Sequence, residues 1–297
     1  MSTSIATGRA ANIAGSLWMI ASMGAFAVED AFVKAAAKAM PVGQILIMFG
    51  LGGALVFAGL ALANREPLFI RDVVSRPMLI RVVFEVTGRL FYVLAVALIP
   101  LSTATVILQA TPLVVVAAAV LVFKEKVGWR RWLAVFIGLA GVVVIVQPGG
   151  EGFSALSLLA VVGMIGFAGR DLASRVAPAT VGTVLLGFYG FLSVIVAGVF
   201  YSFWQGVPFV LPDPQTSLFL AGAVLAGVSA YSCLMKAMRT GDVSAVTPFR
   251  YTRLLFGIAL GVLLFGEHLS FEMLAGSGLI VLSGLFIVWR GKQAGKS

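Results

Sequence analysis

Charged side chains interrupt the apolar stretch between residues 77 and 98 at regular intervals. Arg81, Glu85 and Arg89 are spaced four residues apart, and Tyr92 follows close behind. In a helix, this spacing places the three charged side chains on one face. Because an unpaired charge is costly in an apolar environment, two interpretations follow. Either Glu85 neutralises Arg89 in a structural ladder, or Arg89 binds the carboxylate of a substrate.

A second set of arginines lies in the apolar stretch near residue 250. Arg250 and Arg253 flank Tyr251 and begin about two helical turns inside that stretch. Counted with Arg89 against Glu85, they leave an excess of two positive charges at depth. Such an excess would attract an anion or the carboxylate of a zwitterion. The alternative is that one arginine extends to the surface.

Two carboxylates lie near the end of the first apolar stretch. Asp30 and Lys34 are four residues apart, a spacing that is typical of an ion pair within one helix. Glu29 has no obvious local partner. We expect Glu29 or Glu85 to meet the ammonium group of a substrate or to carry a coupling proton. The alternative for Glu29 is extension to the outer water.

No combination of residues in the sequence predicts catalysis. The chain has one His and one Cys. The single Cys233 excludes an intrachain disulfide and any site built from several cysteines. No phosphate-binding loop or nucleophile elbow is present. We therefore expect no catalytic residue, no bound metal and no cofactor.

The composition is that of a membrane protein. Of the 297 residues, 60% are hydrophobic and 11% are charged, with a mean hydropathy of +1.06. Apolar stretches of about 20 residues predict helices rather than a β-barrel. We predict an all-α integral membrane protein with ten transmembrane helices at approximate residues 13–36, 42–62, 77–98, 101–123, 129–147, 154–174, 181–204, 216–238, 243–265 and 270–290.

The net charge of +9 follows this predicted topology. With the N-terminus inside, the inner connections are rich in Lys and Arg, whereas the outer connections hold only Lys34 and Lys38. This bias predicts that both termini are cytoplasmic. It explains the basic composition without a nucleic-acid partner. We expect a multi-pass protein of the bacterial inner membrane, surrounded by the lipid bilayer.

The sequence repeats itself at a spacing of 142 residues. Glu125 corresponds to Glu267 in a similar sequence context, and Ser102 corresponds to Ser244. A chain with such a repeat is best treated as two copies of one structural unit. We place the two units at residues 1–149 and 150–297.

Each half contains five predicted spans. Because five is odd, the second half must enter the membrane in the opposite orientation, which gives two inverted five-helix repeats. The loops agree with this expectation: residues 64–76 are basic, whereas the corresponding residues 205–216 contain no Lys or Arg. Inverted repeats are typical of carriers that work by alternating access, and the internal two-fold predicts a monomer.

The repeat also predicts which side chains meet at the centre. The offset of 142 residues relates Arg89 to Tyr231 and Gln109 to Tyr251. Equivalent positions converge near a two-fold axis, so we expect these four side chains to surround one central cavity. The complete set of candidate substrate-binding residues is Glu29, Glu85, Arg89, Tyr92, Gln109, Tyr231, Arg250, Tyr251 and Arg253.

Short motifs in residues 97–149 resemble those of a known family. They are Pro100-Leu101-Ser102-Thr103-Ala104, Thr111-Pro112, Glu125, the run 128–133, Gly138 with Gly141, and Gln147-Pro148-Gly149. This pattern resembles the EamA domain of the drug/metabolite transporter superfamily. The second copy keeps Glu267, Gly276, Gly278 and Gly284, but it has Leu254 where Pro112 would recur.

The resemblance implies transport of small metabolites such as amino acids, nucleosides, sugars or drugs. Among family members, the chain looks most like bacterial exporters of amino acids and aromatic metabolites. We therefore expect a secondary transporter that exports amino acids. Efflux of drugs or of metabolites such as nucleosides remains the alternative within the family. A membrane enzyme would need clustered catalytic residues, and a channel would need a ring of pore-lining groups.

Overall fold

The computed structural model describes residues 2–124, 128–147, 154–178, 180–240 and 246–294. Every regular element in these ranges is a helix. The predicted motif positions Glu125, Pro148, Gly149 and Ser244 lie outside them. Two short 3-10 helices occupy Arg71–Val74 and Thr247–Tyr251. The α-helices are α1 (Ser2–Ala36), α2 (Val42–Ala63), α3 (Arg76–Leu98), α4 (Leu101–Leu108), α5 (Thr111–Phe123), α6 (Trp129–Val146), α7 (Ser157–Arg175), α8 (Thr183–Gln205), α9 (Pro214–Thr240), α10 (Thr252–Phe265) and α11 (Phe271–Ala294).

Six helical segments of the described residues are long and apolar enough to cross a membrane: 10–36, 42–63, 101–122, 157–174, 183–205 and 214–237. Helix α3 has sufficient length, but Arg81, Glu85 and Arg89 lower its hydropathy. Helix α10 has only 14 residues because the chain before it forms a 3-10 helix. The ten-span count therefore remains a prediction.

The fourth and ninth predicted spans are interrupted in the structure. Helix α4 ends at Leu108, and α5 begins at Thr111 with Pro112 in its first turn. Proline removes a backbone donor and clashes with the preceding turn, so it favours a break. In the second half, the 3-10 helix Thr247–Tyr251 contains Pro248 and passes directly into α10. Each interruption thus coincides with a proline.

The two interruptions contact each other. The side-chain amide Nε2 of Gln109 donates to the backbone carbonyl oxygen of Arg250 at 2.9 Å. Irregular backbone inside a membrane protein needs such partners, because no water is present to satisfy its polar groups. Gln109 and Tyr251 are equivalent in the 142-residue repeat, so Gln109 binds the residue next to its own counterpart.

Most of the close helix packing joins the first half of the chain to the second. Helix α1 packs on α9, α2 on α8, α3 on α7, and α6 on α11. Helices α2 and α8 run antiparallel, since Gly43 faces Ser202 and Gly187 faces Phe57. Small residues at these contacts allow the two backbones to approach closely, as is common in membrane bundles.

Helices α6 and α11 are also antiparallel. Gly138 of α6 faces Ser283 of α11, and Ile145 further along α6 faces Gly276. Their equivalence in the repeat gives this geometry a meaning: residues 129–146 shifted by 142 become 271–288, which lie within α11. The same relation holds for α2 and α8. Equivalent helices of the two halves therefore point in opposite directions.

Candidate functional site

Two carboxylates and two guanidiniums meet among helices α1, α3 and α10. Arg89 Nη1 lies 2.7 Å from Glu29 Oε1, and Arg253 Nη2 lies 2.7 Å from Asp30 Oδ2. The hydroxyl of Tyr92 donates to the same Asp30 oxygen at 3.0 Å. These five residues form what we call the central ionic group. Glu29, Asp30 and Tyr92 are all at least 97% buried.

The position of Glu29 and Asp30 on α1 explains how the group forms. Successive residues of a helix point about 100° apart, so the two carboxylates face different neighbours. Glu29 reaches Arg89 on α3, whereas Asp30 reaches Arg253 on α10. A single turn of α1 therefore connects one helix of each half of the chain.

Aromatic rings cover the arginines of the central group. The guanidinium carbon of Arg89 lies 5.5 Å from the ring centre of Phe49 and 6.0 Å from that of Phe167. The guanidinium carbon of Arg253 lies 5.0 Å from the ring centre of Phe26. Such cation–π contacts stabilise charge that water does not reach. They also line the group with flat apolar surfaces.

The central group has hydrogen-bonding capacity that the protein does not use. Among the described residues, Arg89 Nε, Arg253 Nε and Glu29 Oε2 are buried and lack a hydrogen-bond partner. Buried polar atoms are normally satisfied, so three exceptions in one group need an explanation. Two of these atoms are donors on cations, and the third is an acceptor on an anion.

A second ionic group lies nearer the start of α3 and consists of Arg81, Glu85, Arg170, Asp171 and Arg250. Glu85 lies 3.4 Å from both Arg81 and Arg170. Asp171 lies 2.8 Å from Arg170 and 4.0 Å from Arg250. Arg81 Nε also donates to the hydroxyl of Ser174 at 3.1 Å. The group thus joins α3 and α7 to the 3-10 helix before α10.

The side chain of Phe167 lies between the two ionic groups. Gly88 of α3 faces Phe167 of α7, and one turn back along α3 Glu85 contacts Arg170. The guanidinium carbon of Arg170 is 4.7 Å from the ring centre of Phe167, which Arg89 also contacts. The ring is 93% buried. Phe167 therefore separates two charged regions about one helical turn apart.

The structure corrects the predicted ion pairs. Glu85 does not neutralise Arg89, because Arg89 binds Glu29, and Glu85 binds Arg81 and Arg170. The excess of two positive charges at depth was also wrong. Glu29 and Asp30, which that count omitted, balance both arginines of the central group.

The predicted pairing of Asp30 with Lys34 is wrong as well. Asp30 binds Arg253, whereas Lys34 Nζ donates to the carbonyl oxygens of Val96 and Ile99 at 3.0 and 2.6 Å. Lys34 thereby satisfies carbonyls at the end of α3, where a positive charge is favourable. Its nearest carboxylate is Glu267 at 3.9 Å.

The remaining candidate residues are distributed around the two groups. Gln109 binds the carbonyl of Arg250, as described above. The ring of Tyr231 packs edge-on against Phe57 at 5.4 Å, and its hydroxyl interacts electrostatically with Arg170. Tyr251 is buried, and its hydroxyl has no hydrogen-bond partner among the described residues. Arg250 and Arg253, neighbours in the sequence, belong to different ionic groups.

Sequence reasoning missed the role of Arg170, which it assigned to an inner connection. In the structure Arg170 lies within α7 and contacts both Glu85 and Asp171. The available signal was the adjacent Arg170-Asp171 pair close to an apolar stretch. Charged residues in such a position are expected to have partners on other helices.

Glu267 joins the two halves at a third place. Its carboxylate accepts hydrogen bonds from the backbone N–H groups of Leu101 and Ser102 at 2.5 and 2.9 Å, and from the Ser102 hydroxyl at 2.7 Å. These donors lie in the first turn of α4, where backbone N–H groups lack helical partners and a negative charge is favourable. We call this arrangement the Glu267 cap.

Comparison with known proteins places this architecture in a family. The model of the EamA-like transporter family matches residues 13–147 and 155–289. The two matches begin 142 residues apart, the same offset as the internal repeat. A solved crystal structure with 19% sequence identity superposes with a TM-score of 0.60 over 94% of this chain and 98% of that chain, which supports the fold alone.

Several relatives are transporters of different solutes. The chain is 29% identical to a riboflavin transporter of Vibrio cholerae, over 94% of this chain and 95% of the relative. It is 28% identical to a pseudopaline exporter of Pseudomonas aeruginosa, over 87% and 90%. It is 26% identical to an S-adenosylmethionine uptake transporter of Rickettsia bellii, over 74% and 75%. The chain is accordingly a transporter rather than an enzyme, and it belongs to the EamA-like transporter family of the drug/metabolite transporter superfamily.

Proposed function

We propose that the protein exports a small zwitterionic metabolite, in the first place an amino acid and including the aromatic ones, by alternating access. The observation that carries this proposal is the balance of the central ionic group, in which two carboxylates face two guanidiniums. An anion or a cation would leave one unpaired charge at depth, which is costly. A zwitterion brings one charge of each sign and preserves the balance.

The unused hydrogen-bonding atoms match the same class of substrate. Arg89 Nε and Arg253 Nε can donate to a carboxylate, and Glu29 Oε2 can accept from an ammonium group. Glu29 or Glu85 would also carry a proton if transport is coupled to one. The rings of Phe49 and Phe167 beside Arg89 suit the side chain of an aromatic amino acid.

We further propose ten membrane spans arranged as two inverted five-helix repeats, residues 1–149 and 150–297, in a monomer of the bacterial inner membrane. Support comes from the antiparallel packing of α2 on α8 and of α6 on α11, since each pair joins equivalent helices. The distribution of Lys and Arg favours cytoplasmic termini. Inversion matters for the mechanism, because each half can then adopt the conformation of the other to open the opposite side.

Counterflow in proteoliposomes tests the substrate. Vesicles containing the purified protein and an unlabelled amino acid should accumulate the labelled compound, with saturation and with loss of activity in Arg89→Gln. A proton gradient of either sign tests coupling. The control variant Gly59→Ala should retain full activity, because no atom lies within 4 Å of the added Cβ. Absence of counterflow for every amino acid in a complete panel would reject this substrate class.

A second candidate substrate is riboflavin, favoured by the similarity to the Vibrio cholerae transporter over nearly the full length of both chains. Riboflavin has no net charge, so it is also compatible with a balanced ionic group, and its flat ring system could stack on Phe49 or Phe167. The same proteoliposomes distinguish the candidates when labelled riboflavin, a nucleoside and an organic cation are included. Relatives include both an exporter and uptake transporters, so direction is tested in inside-out vesicles.

A further inference from the structure

We infer that the second ionic group is a separate binding site for the carboxylate of the substrate, formed by Arg81, Arg170 and Arg250. The inference rests on the proposed function for the identity of the natural ligand. Its location rests on the geometry of the group itself. The carboxylate would occupy this site before or after it reaches Arg89 in the central ionic group.

The charge of the second group distinguishes it from the central one. Three guanidiniums, those of Arg81, Arg170 and Arg250, face only two carboxylates, those of Glu85 and Asp171. The central group has two of each. One positive charge of the second group is therefore unmatched within the group, and a carboxylate is the ligand that would balance it.

Arg250 is the least constrained of the three arginines. Its guanidinium is 4.0 Å from Asp171, and its side chain is 35% exposed. By contrast, Arg253 is 2.7 Å from Asp30, with a side chain that is only 13% exposed. Arg250 can therefore turn towards a ligand without breaking a close ion pair. Arg170 and Asp171 are also partly exposed, so a solute can approach this group from water.

Arg81 contributes a donor that the protein leaves unused. The residue is 96% buried, and among the described residues its Nη1 atom has no hydrogen-bond partner. Its other nitrogens contact Glu85 and Ser174. A buried guanidinium donor without a partner is unusual. A carboxylate bound at this group would supply the missing acceptor.

Phe167 makes the site distinct from the central group. Its buried ring lies between Arg170 and Arg89 and contacts both guanidiniums. A carboxylate on Arg170 and Arg250 therefore cannot contact Arg89 until the ring moves. The two groups would act as successive sites with Phe167 as the barrier between them.

Binding of acetate, the simplest carboxylate probe, tests the inference without any measurement of transport. Saturation-transfer NMR on the purified protein in detergent should detect acetate and give a weaker effect for acetamide, which has the same shape but no charge. Arg250→Gln removes the unmatched charge and should weaken acetate binding roughly tenfold. Asp171→Asn adds one positive charge and should strengthen binding.

Opposite effects of the two substitutions are the decisive result, because a purely structural role would make both variants bind less. Equal signals for acetate and acetamide, or a change of affinity in the same direction for both variants, would overturn the inference. If Arg250→Gln does not fold, Asp171→Asn alone decides, since unchanged or weaker binding is then the contrary outcome. A failure of amino-acid counterflow would leave the acetate result intact, so the two proposals can fail separately.

Discussion

At the scale of single residues, the ion pairs of the central group carry the strongest consequences for stability. Glu29 and Arg89 are both largely buried and 2.7 Å apart. Two charges in such a site are tolerated because each compensates the other. Removal of one charge leaves the other buried without a partner, and this loss exceeds the value of a single hydrogen bond.

Glu29→Gln should therefore destabilise the protein by about 3–5 kcal/mol. The neutral amide retains the shape of the side chain but leaves the charge of Arg89 uncompensated. Thermal unfolding in detergent, followed by circular dichroism, measures the change. The double variant Glu29→Gln/Arg89→Gln removes both charges and should recover much of the loss. If the double variant is no more stable than Glu29→Gln alone, the two side chains are not coupled as the structure indicates.

Asp213 provides a test at an exposed position before α9. Its Oδ1 atom accepts a hydrogen bond from the backbone N–H of Thr216 at 2.6 Å, as expected of an N-cap. This hydrogen bond lowers the pKa of the Asp213 carboxyl below its ordinary value of 3.8. A lowered pKa means that the stabilisation is complete above pH 3.8 and decreases as the pH falls through the folded-state value.

Asp213→Asn should consequently remove this acid-side dependence while preserving a capping side chain. The measurement is the melting temperature between pH 5 and pH 2 for wild type, Asp213→Asn and Asp213→Ala. Near pH 5 the Ala variant should be the least stable, since it has no side-chain acceptor. An identical pH profile for wild type and Asp213→Asn would mean that the carboxylate does not contribute.

At the scale of helices, the α3–α7 pair depends on glycine. A Cβ atom added to Gly166 would collide with the backbone of Gly88. Neither backbone can move easily, because Glu85 and Arg170 join the same two helices one turn away. Gly166→Ala should therefore cost about 1–3 kcal/mol through overpacking. The measurement is again thermal unfolding in detergent.

Gly59→Ala on α2 is the matched control for this prediction. The added methyl group would meet no atom within 4 Å. Alanine is favoured over glycine inside a helix by up to about 1 kcal/mol, so this variant should be as stable as wild type or slightly more stable. Equal effects of the two substitutions would show that propensity, rather than the contact between α3 and α7, determines the result.

The Glu267 cap joins a connection of the second half to the first turn of α4. Glu267→Gln should cost about 1–2 kcal/mol, because an amide oxygen accepts more weakly than a carboxylate and lacks the favourable charge at a helix start. Ser102→Ala and the double variant complete a double-mutant cycle, read by thermal unfolding. We expect clear coupling, since the Ser102 hydroxyl donates to Glu267. Additive effects of the two substitutions would contradict the cap.

At the scale of the whole molecule, the sequence predicted the helices well because hydrophobic stretches have a local signal. The start of α2 at Val42 and the end of α3 at Leu98 agree with the predicted spans. The repeat predicted that Gln109 would lie near the centre, where it meets the backbone of Arg250. Each of these inferences needs only nearby residues or a fixed offset along the chain.

The ion pairs could not be predicted in the same way, because their partners are far apart in sequence. Asp30 and Arg253 are separated by 223 residues, whereas the predicted partner Lys34 is one turn away. A local ion pair gains little in a helix, so it does not outcompete a buried guanidinium on a neighbouring helix. The identity of such partners depends on which helices pack together, and that information is not local.

The relative orientation of the two halves has a direct test in a pair of equivalent loop positions. Phe69 shifted by 142 residues becomes 211, and Phe69 and Leu211 are 80% and 98% exposed. Inverted repeats place equivalent loops on opposite sides of the membrane. In a background that lacks Cys233, Leu211→Cys should react with a membrane-impermeant maleimide in intact cells, whereas Phe69→Cys should react only after the membrane is opened.

The pair separates inversion from orientation, because each gives its own pattern of labelling. Reaction of both cysteines in intact cells, or of neither, would mean that the halves are parallel. Reaction of Phe69→Cys alone would keep the inversion but reverse the assignment of the termini that the positive charges favour. The antiparallel packing of α2 on α8 makes the parallel outcome difficult to reconcile with the fold, because Phe69 and Leu211 follow the C-terminal ends of these two helices.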